Sequence, residues 1–454
     1  MKTGVIRRNI NNETGFRIDP SFHLSEALQI QSDLRNSPYP LHTVAEVSEK
    51  VFIGNIFSRN FVTKPDHGVP YLAASDTVLG HIDSGKYLSK NQAQQLSYLM
   101  LDKGWILVTC SGTLGNVTFT NSLFSGHIAT HDLIRIIPSG QIIKPGVLYA
   151  FLSSKYGYFQ LTQSKFGGVV KHINSDQAGS VCVPVFSSSF QDMVDSLIQE
   201  SARLRDEAVS IENTAIKFFD DKFPFDDAYT KVFCRSINNF RLGIAAFNNN
   251  LEVDKFISLF AHDAVRIKDL TEKVFAPSLF KHIYLSKDNG YPFMTGSELT
   301  RYNLRYYRWL SPKGVKDIND YIVHKNTLLL YKSGTTDGGI LGNVFIADDK
   351  LDGCCLSDHV IRIIFKDSRV GNWAYAFLRS KGGVKLLQSL ATGTMIPFIV
   401  PERVSELLIP KPDGNLDRIS SLIEAYIEKI ARSKSLDDKA VSMVENEIES
   451  WKNN

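Results

Sequence analysis

The phrase SGTLGNVTF at Ser111–Phe119 returns as SGTTDGGILGNVFI at Ser333–Ile346, and the repetition extends far beyond it. SEKVF at Ser48 returns as TEKVF at Thr271, a shift of 223 residues, while GVPYL at Gly68 returns as GYPFM at Gly290 and YLS at Tyr87 as WLS at Trp309, both shifted by 222. Inside the glycine-rich phrase the second copy gains five residues, so that LGNV at Leu114 meets LGNV at Leu341 with a shift of 227. That shift then carries THDLIRII at Thr130 onto SDHVIRII at Ser357. LYAFLSSKYG at Leu148 pairs with AYAFLRSKGG at Ala374, and VCVP at Val181 with LLIP at Leu407. Self-similarity at a period near half of 454 residues predicts two copies of one fold.

Each copy reads as mixed α+β. β-Branched alternation punctuated by glycine predicts strands at WILVTC, NVTFT and LIRIIP in the first copy, and at TLLLYKS, NVFIA and HVIRIIF in the second. One short helix fits LYAFLSSKYGYFQLTQ and another its partner. After each globular stretch the period changes to that of a heptad seam. Phe190, Val194, Leu197, Ser201, Leu204, Ala208, Ile211, Ala215 and Phe218 step by four and three; Leu416, Ile419, Ile423, Tyr426 and Ile430 do the same, lose phase near Ser433–Asp437 and recover at Ala440 and Val444. Two long amphipathic helices need an apolar partner, and the nearest candidate for each is the other.

Composition narrows the class. With 43% apolar and 11% aromatic residues the chain fills two or three ordinary cores. No signal peptide and no apolar run of the roughly 18 residues a membrane span needs is visible, which predicts a cytoplasmic protein. Five scattered cysteines without a CxxC spacing support neither a disulfide framework nor a zinc site. A net charge of +3, from 51 basic and 48 acidic residues, permits a nucleic-acid partner only through a local basic surface.

The SGT…LGNV phrase, the IRI strand about 15 residues on, the YAFL helix, the strand ending in proline and the closing heptads, all present twice, resemble the specificity subunit of type I restriction-modification enzymes. The resemblance covers roughly Val44–Trp451. It implies an α+β fold of two repeated globular target-recognition domains separated by two long antiparallel coiled-coil helices. The expected division is a leader (1–43), recognition domain 1 (44–187), spacer helix 1 (188–221), a linker (222–264), recognition domain 2 (265–413) and spacer helix 2 (414–454). It also implies double-stranded DNA as partner, together with methyltransferase subunits, two in number, and restriction/translocase subunits. The cofactors S-adenosylmethionine, ATP and magnesium are then expected on those partners and not on this chain. The spacing and docking residues are Leu197, Leu204, Ile211, Ile419, Ile423, Tyr426 and Ile430. A spacer helix of about 30 residues at roughly 1.5 Å per residue is on the order of 45 Å long, enough to set two readers about one turn of DNA apart.

Basic residues interleaved with aromatics are the usual footprint on nucleic acid. The densest case is TRYNLRYYRWLSPKG, with Arg301, Tyr302, Arg305, Tyr306, Tyr307 and Arg308. The glycine-rich turn adds Lys332, Ser333, Thr335 and Thr336, where glycine lets a ligand backbone approach closely. The first copy offers Arg59, Asn60, Lys64, Ser111 and Thr113, and Lys165, Lys171 and His172 around SKFGGVVKHI. Its counterpart LATGTMIPFI carries no base, so the two halves are expected to read DNA through different loops and hence an asymmetric split site.

Enzymatic signatures are missing. Ser357, Asp358 and His359 are consecutive, so their side chains alternate in direction and cannot form a relay. No Gly-x-Ser-x-Gly elbow, Gly-Lys-Ser/Thr phosphate loop, Asn-Pro-Pro-aromatic string or nuclease cluster is present, which predicts a non-catalytic chain. Two other classes remain open to the residues: a duplicated protein- or carbohydrate-binding module without DNA affinity, and an enzyme with a site between the repeats.

Overall fold

β-Branched runs become strands in both halves of the chain. The computed structural model describes residues 30, 33–80, 82, 84–111, 114–163, 172–226, 234, 236, 243, 245–287, 289–299, 301–302, 308–334, 341–393 and 395–451. It divides into two units, one running to Asp206 and resuming at Arg432, the other spanning Glu207–Ala431.

In the first unit an antiparallel sheet has the order Ser48–Ile53, Leu133–Pro138, Ile106–Thr109, Val117–Phe119. A second sheet has the order Phe61–Val62, Tyr87–Ser89, Gly68–Leu72, Ile128–Ala129, its last pair parallel. In the second unit the corresponding sheets are Thr271–Phe275, Val360–Phe365, Leu328–Tyr331, Val344–Ile346 and Tyr284–Leu285, Arg308–Leu310, Tyr291–Met294, Cys355–Leu356, again with a parallel last pair. Even the register shift repeats, between Ser48 and Lys50 and between Thr271 and Lys273.

Side chains on successive strand residues alternate between faces, and both faces are buried here. Ile134 and Ile136 join the core beneath helix Pro145–Ser153, whereas Leu133 joins Leu72, Leu107 and Ala129 between the two sheets. Ile361 and Ile363 likewise face the helices, and Val360 lies with Met294 and Leu356. Arg135 and Arg362 therefore point into the inter-sheet layer and are completely buried. Each meets a ring of carbonyls. Arg135 Nη1 donates to Leu133 O (3.0 Å), and Nη2 to Ala129 O (2.8 Å) and Thr130 O (3.0 Å). Arg362 Nη1 donates to Ser357 O (3.0 Å) and Val360 O (2.5 Å), and Nη2 to Leu356 O (2.7 Å). Burial pulls both guanidinium groups down to about 10, so at neutral pH each remains a cation.

The single short helix expected in each copy is two helices. Pro145–Ser153 and Lys155–Gln163 break at Ser154, and Ser368–Arg379 and Lys381–Gln388 break at Ser380. Each serine hydroxyl donates to the carbonyl three residues back, of Phe151 or Phe377 (2.6 Å each). Each also accepts the amide of Gly157 (3.4 Å) or Gly383 (3.1 Å), capping the second helix. Glycine is required there, because a Cβ on Gly157 would lie 2.4 Å from Phe151 O and one on Gly383 2.1 Å from Phe377 O.

The long helices are Ser188–Lys222 and Leu416–Ser450. On the first, the buried stripe is Gln191, Val194, Ile198, Ser201, Arg205, Ala208, Glu212, Ala215 and Phe219. It shares every second position with the seam expected from apolar residues, but its other row lies one residue further on. Leu197 and Ile211 are half-buried, while Leu204 is buried beside the stripe. The polar members of the displaced row have partners. In the first unit Arg205 Nη2 donates to Leu79 O (2.8 Å) and the guanidinium lies 5.6 Å from the Phe124 ring. In the second unit Glu212 Oε1 accepts from the Tyr375 hydroxyl (2.6 Å) and lies 3.4 Å from Arg379 Nε. The second long helix does not lose its phase either: Ser433 and Asp437 are buried, Ser433 bonded to Ser201 and Asp437 accepting from the Tyr149 hydroxyl (2.7 Å). Eight residues beyond each of these carboxylates a second one holds a helix start. Glu445 accepts the Lys155 amide (2.7 Å), and Asp220 the Lys381 amide (2.9 Å).

Gly383→Ala is expected to cost about 1–3 kcal/mol or more by forced displacement of backbone, whereas Gly414→Ala, with nothing within 4 Å, stays within about 0.5 kcal/mol of the parent; thermal unfolding of the two variants checks this. Removing the phenol in Tyr375→Phe is expected to cost about 1–3 kcal/mol, and stranding the Arg379 cation in Glu212→Ala about 3–5 kcal/mol. Urea unfolding that ranks Tyr375→Phe as the more damaging of the two would contradict the assignment of Glu212 as their shared partner.

Candidate nucleic-acid interface

The repeated arginine of the IRI motif is enclosed, so the basic surface comes from the loops of the smaller sheet in each unit. In the first unit the chain leaves strand Ser48–Ile53 and passes through Arg59, Asn60 and Lys64, all exposed. Arg59 is oriented from below. Its Nε donates to the Tyr71 hydroxyl (2.6 Å), Nη2 donates to Thr130 Oγ1 (3.3 Å), and its guanidinium lies 5.7 Å from the Tyr71 ring. Gln92 clamps the loop, donating to Ser58 O (2.5 Å) and accepting the Asn60 amide (2.9 Å). Lys64 precedes the short turn Pro65–His67 and accepts on its carbonyl the His67 amide (3.1 Å).

Ser111 and His172, far apart in sequence, are brought together as a β-bridge, both half-buried. The glycine-rich phrase is thus closed by the segment that follows the helix pair. The second unit closes the same way, Ser333 bridging Phe398. Lys332 is half-buried and its carbonyl accepts the Ile399 amide (2.7 Å). Thr113, Lys165, Lys171, Arg305, Tyr306, Tyr307, Thr335 and Thr336 lie outside the described residues.

The aromatic-basic stretch of the second unit is less open than its sequence suggests. Tyr302 is buried, which corrects its assignment as a surface contact, and Arg301 is half-buried. Arg308 Nη2 donates to Glu298 Oε2 (2.5 Å), and its guanidinium lies 5.6 Å from Tyr284 and 5.8 Å from Phe293. Apolar–basic alternation alone could not reveal Glu298, which sits ten residues upstream. Exposed cations that sequence reasoning passed over include Lys281 and Lys287, beside the exposed His282.

Among the expected docking residues, Leu204, Ile419, Ile423 and Ile430 are buried, and Ile419 and Ile423 belong to the core of the second unit. These buried side chains are closed to a further subunit. Leu197 and Tyr426 are half-buried against the cores of their units, and Ile211 is half-buried.

One side-chain trio has the composition of a hydrolytic relay. Ser333 Oγ lies 3.2 Å from His359 Nδ1, and Asp358 Oδ2 lies 3.9 Å from Nε2 of that exposed ring. The second distance is beyond hydrogen-bond reach, and at the matching positions the first unit has Thr130, His131 and Asp132, with histidine and aspartate exchanged. No group that could hold a metal ion occurs among the described residues, and no helix among them is long and apolar enough to cross a membrane.

Residues 262–437 match the family model of the type I restriction modification DNA specificity domain. No curated protein matches the chain. Among solved structures it is similar to the S subunit of a type I restriction-modification system from M. genitalium, at 11% identity over 91% of this chain and 96% of that one, with a TM-score of 0.34. It is similar also to the HsdS subunit from Thermoanaerobacter tengcongensis, at 15% identity over 90% and 96% of the two chains and a TM-score of 0.29. A further chain, from a structure of type I R-M system assembly, matches at 13% identity over 91% and 97%, with a TM-score of 0.29. Residues 262–437 are therefore similar to a type I restriction modification DNA specificity domain.

Proposed function

We propose that the chain is the DNA-specificity subunit of a type I restriction-modification complex, with two target-recognition domains that each read one half of an asymmetric split duplex site. One observation carries the reading. The matched stretch, residues 262–437, has a particular order of strands, a register shift, a buried inter-sheet arginine and a serine-capped helix pair, and residues 41–184, outside the match, have every one of them.

The long helices are the spacer. One unit holds residues 188–206 of the first long helix with 432–450 of the second, and the other holds 207–222 with 416–431. Pairing the start of one helix with the end of the other is what an antiparallel coiled coil requires. At 35 residues and roughly 1.5 Å per residue each helix is about 52 Å long, on the order of 15 base pairs of duplex. The chain itself performs no chemistry on this reading. Two methyltransferase subunits bring S-adenosylmethionine, restriction/translocase subunits bring ATP and magnesium, and the assembly works in the cytoplasm.

Replacing residues 265–413 by another recognition unit, in cells that also express the methyltransferase, is expected to change one half of the methylated motif and leave the other half and the gap unaltered. Methylome sequencing reads the result, and a motif changed in both halves or in neither would refute the modular reading. Binding of the assembled methyltransferase complex to its site is expected to weaken steeply with salt, as phosphate contacts demand.

A further inference from the structure

Two aliphatic side chains stand almost fully in solvent at the same position of the two units. Ile56 is 85% exposed and Leu279 83%, and the shift of 223 that carries SEKVF onto TEKVF carries Ile56 onto Leu279. A single exposed aliphatic residue means nothing. The same solvated position kept apolar in both copies, while Asn55, Ser58 and Arg59 became Ser278, Lys281 and His282, is a different observation.

The surroundings are repeated too. The residue after each is a phenylalanine that anchors the loop: Phe57 lies 5.9 Å from the His131 ring and packs on a buried cluster, and Phe280 lies 4.4 Å from Tyr321 and 5.9 Å from Phe293. Five residues beyond the aliphatic position is a half-open aromatic edge, Phe61 (48% exposed) at 5.4 Å from Tyr71 and Tyr284 (42% exposed) at 6.0 Å from Phe293. Each segment carries two exposed bases, Arg59 and Lys64 in one and Lys281 and Lys287 in the other, with the first acids beyond them at Asp66 and Asp288. An apolar tip on an anchored loop, flanked by an aromatic edge and by a local excess of positive charge, suits a polyanion with an apolar interior.

We propose that Ile56 and Leu279 are a matched pair of wedges, one per unit, that enter the groove of the half-site beside each unit and press between neighbouring base pairs, as apolar side chains of groove-bending proteins do. The inference rests on the DNA-reading function proposed above and adds that both half-sites are deformed by an equivalent side chain, whatever bases the other loops read.

The test uses the complete chain assembled with its methyltransferase subunits, on duplexes carrying the motif mapped by methylome sequencing, with 2-aminopurine replacing adenine at one position at a time. The wild-type complex is expected to raise the fluorescence at an unstacked position in each half-site. Ile56→Ala is expected to abolish the rise in one half only and Leu279→Ala in the other, each with roughly tenfold weaker binding and an unchanged unfolding temperature, because both side chains are solvated. Rises that persist in both variants overturn the wedge and leave the DNA reading standing. Unaltered DNA affinity with loss of the methyltransferase from the purified complex also overturns it, and assigns the two residues to a protein contact. A wild-type complex that binds no duplex overturns the proposed function and the wedge with it.

Discussion

Each globular unit depends on one buried guanidinium. The chain must pass from the end of a parallel-paired strand, Ile128–Ala129 or Cys355–Leu356, into the central strand of the other sheet within a few residues. That passage turns carbonyls inward, and carbonyls buried without donors cost too much to keep. Arg135 and Arg362 reach three or more of them at once from the strand the chain is entering. A lysine ammonium is a point donor and cannot cover that spread with a fixed planar fork. The two sheets are locked by this contact, and so is the place of the loops on the smaller sheet, including those holding Arg59 and Lys281.

A second polar device operates on the long helices. A seam of leucine and isoleucine tolerates a slip by one turn, because one apolar side chain replaces another. A seam holding Glu212 or Asp437 does not, since a slip would withdraw the carboxylate from the Tyr375 or Tyr149 hydroxyl and leave a buried charge without a donor. The second carboxylate of each pair, Asp220 or Glu445, meets the amide at the start of a helix, where the partial positive charge of the helix end favours it. Within each unit the helix pair is therefore fixed to the long helix at two points eight residues apart. A helix that sets a gap in DNA, the role proposed above, needs such a fixed register more than it needs stability.

How much of this was legible follows from which force each residue obeys. The six strands named from the sequence appear where expected, because alternating Val, Ile and Leu bury the same way in any sheet with two covered faces. The long helices were legible by period but placed one row off, since charged residues were assigned to solvent by default while Arg205 and Glu212 sit in the stripe. The break at Ser154 escaped because serine and lysine are acceptable in a helix interior; the capping hydroxyl and the close approach at Gly157 exist only in three dimensions. At the candidate interface, Arg59, Asn60 and Lys64 were named by composition, and all three are exposed. Tyr302 was misplaced because a tyrosine in a basic run reads as a surface contact whether or not its ring is covered.

Two of the candidate bases are bound before any ligand arrives. Arg59 is held by Tyr71 and Thr130, and Arg308 by Glu298, so neither is free to search for a phosphate. Pre-oriented cations lose less freedom on contact, but a pair such as Arg308–Glu298 brings its own negative charge to the surface. With a net charge of only +3, long-range attraction for a duplex is weak. Affinity must then come from close contact, from the basic subunits a complex would add, or from apolar surface hidden against the bases. The solvated Ile56 and Leu279 can make that last contribution, because side chains 85% and 83% exposed uncover little of the folded chain when they meet a partner.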